Sequence, residues 1–294
     1  MIPKYPEFKS LEIENKTVIT RHLRATTREI CELTLGNLFI WQNFDRPQAT
    51  CIHGNVCIQI NPFNEAPYFL EPLGREKLRE TTEILFNHSQ RLSRVSKGFI
   101  NALKEFGYKF TPLRNHFDYI YLRTDLAELK GRKYDGKRNH IKHFQRVHPS
   151  YEYVTLKPEM KAEALSLFEK WFTFREESKY FPKLAHTAQK DAITTAFDLF
   201  SALHLIGGAL YVDNDLKGFA LGSKLNPATA SVHFMYGDPS LPGIAQILNW
   251  EAANKTFSDF KYLDLEQDLG IPGLRTAKLS YHPFKLEEKF EVSQ

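Results

Sequence analysis

Three β-forming runs, Ile206 to Val212, Lys217 to Leu225 and Thr229 to Tyr236, follow one another with only Asp213-Asn214-Asp215 and Asn226-Pro227 marking the joins. Asn and Asp tolerate left-handed backbone and Pro pre-sets φ, so both joins predict tight turns. Strands joined this closely run antiparallel, because a parallel connection needs a dozen or more residues. The result is a meander whose apolar face must be covered. Candidate covering helices stand directly before it. Pro158-Glu159 is a good helix start, since Pro at the first position gives up an N–H that would be unpaired anyway. The helix it opens carries Leu165, Phe168, Trp171 and Phe172 on one face, and Thr187 to Phe200 carries Ile193, Ala196, Phe197 and Phe200. A strand from Tyr151 to Leu156 precedes them. A helix from Pro242 to about Phe257 and a strand from Tyr262 to Leu265 follow the meander.

A comparable order occupies the first half. Residues 26 to 41 place Ile30, Leu33, Thr34, Leu38 and Trp41 at helical spacing after a Thr-rich start suited to capping. Short strands are expected at Thr50 to His53, Val56 to Ile60 and Tyr68 to Leu70, the first two joined by Gly54-Asn55 as a hairpin. Arg75 to Ser89 and Lys97 to Phe106 read as helices, the second ended by Gly107, and His116 to Arg123 reads as a strand. The halves share no alignable repeat. With 294 residues and roughly 150 per domain, the expected division is a first module over 1–130, a basic junction helix over 131–150 and a second module over 151–294.

Composition excludes several classes. At 42% apolar and 25% charged the chain is a folded protein, and a net charge of +4 is too small to argue for nucleic acid by itself. The three cysteines, Cys31, Cys51 and Cys57, form no CxxC and read as reduced packing thiols, which points to a cytoplasmic location. The first twenty residues lack the apolar stretch of a signal peptide, and the longest nearly apolar run, Leu199 to Val212, falls short of the ~20 residues that span a bilayer. The aromatic load, 23 Phe, 13 Tyr and 3 Trp, predicts thick cores between helices and sheets. His140 and His143 have no third ligand at matching spacing, so no metal site is expected. GxSxG, P-loop and GxGxxG motifs do not occur.

Two segments carry chemistry that packing explains poorly. From Lys130 to Arg146 there are seven Lys/Arg and one Asp. A helix over Gly136 to His148 puts Ile141, Phe144 and His148 on one face and Arg138, Lys142 and Arg146 on another. That stripe is either a solvated linker face or, with Lys137, Arg138 and Asn139, a site for phosphate or carboxylate. The second segment, residues 262 to 283, sets Glu266, Asp268, Arg275, Lys278 and Tyr281 after a strand, with Gly270, Pro272 and Gly273 predicting an irregular loop. One reading pairs these charges to pin the loop. The other gives Arg275 and Lys278 to anionic substrate groups, and Glu266, Asp268 and Tyr281 to orienting or deprotonating a nucleophile.

The runs TDLAELKGRKYDGKRNHIKHF and LEQDLGIPGLRTAKLSYHP resemble a bacterial family of unknown function related to the C-terminal domain of phosphatidylglycerol lysyltransferases. The element order is similarly that of an acyltransferase module of the GNAT type. The resemblance implies an α/β (α+β) fold of two tandem GNAT-like modules, each a mixed, largely antiparallel sheet flanked by helices, akin to Fem-type aminoacyltransferases. It implies direct transfer of an acyl or aminoacyl group to an amine or hydroxyl in a cleft between the modules, without an enzyme-bound intermediate. No resident cofactor is required, and acyl-CoA or aminoacyl-tRNA is the expected donor. GNAT enzymes hold the CoA pyrophosphate with a Q/R-x-x-G-x-G/A loop at a helix N-terminus. The corresponding Ser240 to Ala245 keeps Gly243 and Ala245, has Ser240 in place of Gln/Arg, and loses an N–H to Pro242. That degeneracy supports the alternative, a non-catalytic module binding an anionic ligand. Peripheral membrane contact has no support in the sequence.

Overall fold

The computed structural model describes residues 1–25, 28–176 and 183–294. In chain order its strands are β1 (Lys9–Ser10), β2 (Gln48–Ile52), β3 (Asn55–Ile60), β4 (Tyr68–Phe69), β5 (Leu92–Ser96), β6 (Lys109–Pro112), β7 (Asp118–Leu122), β8 (Glu152–Thr155), β9 (Ile206–Val212), β10 (Asp215–Asn226), β11 (Thr229–Gly237), β12 (Tyr262–Asp264), β13 (Lys285–Glu287) and β14 (Lys289–Ser293). They form two mixed sheets, ordered β1-β2-β3-β4-β5-β14-β6 and β13-β7-β12-β11-β10-β9-β8. One compact unit comprises Met1–Asp118, Gln267–Gly270 and Leu286–Gln294, the other Tyr119–Glu266 and Ile271–Lys285. The expected division at 130 and 150 thus differs from the observed units. The first unit gives up residues 119–130 and takes in the C-terminal strand, because β14 pairs between β5 and β6.

In the first unit, β2 and β3 pair Ile52 with Asn55 across His53 and Gly54, both at positive φ (51° and 83°). That is a two-residue hairpin of the twist-matching kind, one residue earlier than the expected Gly54-Asn55 turn. The expected helix over 26–41 becomes a helix over Leu35–Ile40, opened by Thr34, whose hydroxyl accepts the Asn37 N–H at 3.0 Å. Its expected Thr-rich start at 26–27 lies outside the described residues. A helix over Lys16–Ala25 was not expected. The helices over Leu78–His88 and Lys97–Leu103 lie within the predicted ranges. Phe69, Leu85, Leu92, Val95, Phe99 and Leu103 pack with Val292 of β14 into the apolar core.

The polar interior of this unit is built on Lys289. Its buried ammonium meets Asp118 at 2.7 Å, Glu32 at 2.5 Å and the Cys31 sulfur at 3.3 Å. Asp118 also accepts the Cys31 N–H at 2.9 Å. Burial alone would lower the Lys289 pKa, yet its partners Asp118, Cys31 and Glu32 hold it well above the ordinary value. His116 is pushed the other way, to about 4, by burial and by the Arg94 and Lys289 charges.

In the second unit the meander is as expected: β9 turns into β10 through Asp213 and Asn214, both at positive φ, and β10 pairs with β11 antiparallel. Two long helices, Lys161–Glu176 and Lys183–Asp198, supply buried Phe168, Phe172, Ile193 and Phe197 to its core. Phe168 meets Tyr236 edge-on at 5.3 Å, and Phe197 meets Phe219 in the same manner at 6.2 Å. The aromatic load therefore goes largely into cores. The junction helix spans Asp135–Val147, with Ile141 and Phe144 buried and Lys142 and Arg146 exposed, matching the predicted faces. Among the described residues, no helix is long and apolar enough to cross a membrane.

Removing Lys289 leaves the buried Asp118 carboxylate and the partly buried Glu32 without their counter-ion, so Lys289→Met is expected to destabilise by about 3–5 kcal/mol in urea denaturation. Lys289→Met combined with Asp118→Asn is expected to cost clearly less. His116 has an ordinary pKa of 6.5 in the unfolded chain and a depressed one when folded. Its contribution to stability is therefore complete above about pH 6.5 and is lost as pH falls toward 4. His116→Gln is expected to flatten that part of the stability–pH curve, measured by urea midpoints at half-unit intervals.

Candidate functional site

The site of interest in the second unit begins where two parallel strands part. β11 and β12 pair at Thr229 with Tyr262, Ala230 with Leu263 and Ser231 with Asp264. There β12 ends, while β11 continues to Gly237. His233 lies on the continuing stretch, and in the β10 ladder Leu221 pairs with Phe234 but Gly222 pairs with Val232. His233 is thus the extra residue of a β-bulge, a device that re-aims a side chain. Gly222 makes the close approach possible, for a Cβ there would stand 2.4 Å from the Ser231 carbonyl oxygen.

Around His233 the side chains form a connected chain. Its Nδ1 lies 2.8 Å from Glu266 Oε1 and its Nε2 lies 2.7 Å from Ser223 Oγ. An ionised carboxylate only accepts, so Nδ1 carries the proton, and with the imidazole neutral Nε2 accepts from the Ser223 hydroxyl. Ser231 Oγ lies 3.3 Å from both Glu266 Oε1 and Asp264 Oδ2. Asp264 Oδ1 accepts the Glu266 N–H at 2.7 Å, in a turn that holds Glu266 at φ 57°. The Glu266 carbonyl accepts from the Tyr119 N–H at 3.2 Å and from Lys278 Nζ at 3.1 Å. Lys278 also donates to the Leu265 carbonyl, and Tyr121 donates its hydroxyl to the Lys278 carbonyl at 2.7 Å.

Lys278 reaches these carbonyls from a helix, Pro272–Leu279, where an irregular loop was expected. Pro272 occupies its first position, where a missing N–H costs nothing, so the residue read as a loop breaker is a helix starter. Arg275 lies one turn before Lys278 on the same helix and is half-buried. Lys137 meets this segment: its Nζ donates to Ser280 Oγ at 2.7 Å and stands 4.1 Å from the Tyr281 ring centre. Burial lowers the Lys137 pKa and raises that of Tyr281 to about 12. Tyr134 donates to the Tyr281 carbonyl at 3.1 Å. Glu266, Lys278, Lys137 and Tyr281 are thereby linked through one short stretch of chain.

The other predicted residues are placed differently. Arg138 donates to the Leu129 carbonyl, to the Gly131 carbonyl at 2.9 Å and to Asp135, which braces the turn before the junction helix. Asn139 is exposed. Asp268 belongs to the first unit, where its buried carboxylate accepts from Arg114 at 3.0 Å and from the Gly270 N–H at 2.8 Å. Gly243 precedes the helix Ile244–Glu251 at φ 89°, and a Cβ there would stand 2.7 Å from the His140 carbonyl oxygen. The space its missing side chain leaves is taken by the junction helix. Ala245 is exposed on the first turn. Ser240 donates its N–H and hydroxyl to Asp238, so a carboxylate stands beside the loop that would face a pyrophosphate.

His233, Ser223, Ser231 and Asp264 were not anticipated. In sequence they sit inside alternating strand patterns, where a lone His or Ser reads as core. The one available signal was three polar residues, Ser223, Ser231 and His233, at inward positions of neighbouring strands.

A family model described as "Phosphatidylglycerol lysyltransferase, C-terminal" matches residues 23–292. A conserved protein of unknown function from Bacteroides thetaiotaomicron is 30% identical with a TM-score of 0.89, covering 100% of this chain and 99% of that one. L-PGS from Bacillus licheniformis has a TM-score of 0.66 at 14% identity, covering 100% and 94%. A tandem GNAT protein from the clavulanic acid biosynthesis pathway has a TM-score of 0.52 at 11% identity, covering 98% of each chain. No curated protein sequence matches the chain.

The packing at Gly243 makes a direct prediction. Gly243→Ala forces a side chain onto left-handed backbone and against a carbonyl oxygen, and is expected to cost about 1–3 kcal/mol in thermal or urea unfolding. Ala245→Ser, on the exposed first turn, is expected to leave stability within about 0.5 kcal/mol.

Proposed function

The chain belongs to the phosphatidylglycerol lysyltransferase C-terminal family, and from that membership we propose that it transfers an aminoacyl group from charged tRNA to an amine or hydroxyl acceptor. The observation that carries this reading is the Glu266 carboxylate, held where β11 and β12 part by His233 at 2.8 Å and Ser231 at 3.3 Å. A fixed carboxylate at the mouth of a parted sheet suits a general base.

In the proposed reaction the acceptor N–H or O–H gives its proton to Glu266 as its lone pair attacks the ester carbonyl. The ester C–O bond then breaks, and the departing ribose oxygen takes up the proton that Glu266 received. Lys137 suits an anionic group of the substrate, since its ammonium is half-buried beside Ser280 and Tyr281. Lys278, bound to the Leu265 and Glu266 carbonyls, orients the turn that bears the base. Arg275, one helical turn away, suits the same anionic group. Between the two donor classes, the loop at 240–245 favours charged tRNA over acyl-CoA. Pro242 offers no N–H, Asp238 stands beside the loop, and the space at Gly243 is filled. The exposed Lys142 and Arg146 suit a polyanion.

The test is to supply the protein with radiolabelled bulk aminoacyl-tRNA, or with labelled acetyl-CoA, and a panel of amine and hydroxyl acceptors including phosphatidylglycerol vesicles. Transfer from aminoacyl-tRNA is expected. Glu266→Gln should lower kcat by about 10²–10⁴-fold. Lys142→Gln with Arg146→Gln should weaken tRNA binding and flatten its salt dependence, since fewer counterions are released. Transfer from acetyl-CoA alone, or none from either donor, would overturn the reading.

A further inference from the structure

The hydrogen-bonded chain does not stop at Glu266 but runs inward through His233 to Ser223 on β10. A Ser–His–carboxylate series at these distances is the arrangement that elsewhere activates a serine nucleophile. The gradient of exposure runs the opposite way here. Ser223 is 3% exposed and the His233 side chain 0%, whereas the Glu266 side chain is 17% exposed. Whatever meets substrate meets it at the carboxylate end. We propose that His233 and Ser223 are positioning residues that hold Glu266 ionised and aimed, so that the series works as an inverted triad with the base outermost and the serine as its inner anchor. This rests on the reading of Glu266 as the base.

For a neutral imidazole the two contacts leave one consistent arrangement. Glu266 Oε1 receives the Nδ1–H of a neutral imidazole, and Nε2 is then an acceptor, which only a donor can satisfy inside the sheet. Ser223 is that donor at 2.7 Å. An apolar residue at 223 would leave a buried ring nitrogen without a partner and free the imidazole to change tautomer. The bulge supplies the geometry. His233 is itself the inserted residue: the β10 ladder pairs Leu221 with Phe234 and Gly222 with Val232, and the imidazole lies between Ser223 on β10 and Glu266 in the turn after β12. The remaining polar groups on the facing elements are Ser231 and Asp264. Ser231 bridges the two carboxylates, and Asp264 binds the Glu266 N–H. Lys278 holds the backbone of the same residue. Ser231 has one hydroxyl proton to share between the two carboxylates, whereas the His233 Nδ1–H is directed at Glu266.

Because a hydrogen bond to the charged form favours ionisation, loss of the His233 donor should raise the Glu266 titration midpoint. The experiment needs no substrate. Nitrogen-15 NMR of the wild-type imidazole should give the Nδ1–H tautomer at neutral pH. Carbon-13 NMR of labelled glutamate side chains should show the Glu266 midpoint raised in His233→Leu and largely restored in His233→Asn, whose amide keeps a donor near the Nδ1 position. Ser223→Ala should weaken the tautomer preference, and Ser223→Thr should restore it. Circular dichroism checks that each variant is folded. Should His233→Leu not fold, the Ser223→Ala and His233→Asn spectra carry the comparison. With aminoacyl-tRNA as donor, His233→Leu should lower kcat about tenfold with KM within about twofold and move the acidic limb of the pH–rate profile upward, and His233→Asn should recover most of the rate. An Nε2–H tautomer, an unmoved Glu266 midpoint in both His233 variants, or covalent labelling of Ser223 by a fluorophosphonate probe would overturn the proposal. The tautomer and midpoint stand apart from the donor assays, so a failed transfer reaction with the expected NMR result would fault the functional reading alone.

Discussion

Parallel strands that stop pairing leave backbone and side chains that the sheet no longer occupies, and the second unit is organised around one such place. β12 pairs with β11 over only three residues, and the last pair, Ser231 with Asp264, marks the point of parting. Everything assigned to the site depends on it. Asp264 closes the turn that sets Glu266 at positive φ, Ser231 bridges the two carboxylates, and the bulge at His233 exploits the freedom of a strand that no longer has a neighbour on that side. Ser223, Ser231 and Asp264 are direct partners across three neighbouring strands and so share one face, which is where the polar groups gather.

The site's rigidity comes from groups that contribute no charge to it. Gly222 lets the Ser231 carbonyl approach, Pro272 starts the helix that carries Lys278, and Tyr121 fastens that helix by its Lys278 carbonyl. Precise placement of a side chain requires neighbours whose own positions are fixed by packing and hydrogen bonds. The first unit solves a comparable problem in its interior. Lys289 is buried with Asp118, Glu32 and Cys31 as partners, so its charge is compensated by short contacts instead of by water.

Much of the fold was legible because local chemistry and tertiary structure agree there. The meander of β9, β10 and β11 follows its turn residues, and the junction helix follows the spacing of Ile141 and Phe144. The family resemblance, carried by two segments, agrees with a match over residues 23–292. Legibility failed where a residue has two uses. Pro272 reads as a breaker in a Gly-rich stretch yet starts a helix, and the hairpin turn lies one residue before Gly54-Asn55, at His53-Gly54, with Asn55 paired to Ile52 and its side chain bonded to Glu76 and Thr81. Among the candidate site residues, Glu266 and Lys278 were legible as charges after a strand, and Lys137 as a basic residue of the junction. Arg138 was read by charge alone, but its fork is used by the carbonyls of Leu129 and Gly131.

By itself the sequence determined the meander, its covering helices and the junction helix, the hairpin and meander turns to within a residue or two, the aromatic character of the cores and the family. Those properties depend on neighbours a few residues apart, through periodicity, turn chemistry and capping. Tertiary structure alone decided that β14 enters the first sheet, that Lys289 finds Glu32 and Asp118, and that His233 stands between Ser223 and Glu266. Each of these joins residues distant along the chain. Such pairing is fixed by strand register and by the requirement that buried polar groups find partners, and neither is written in any local window of the sequence.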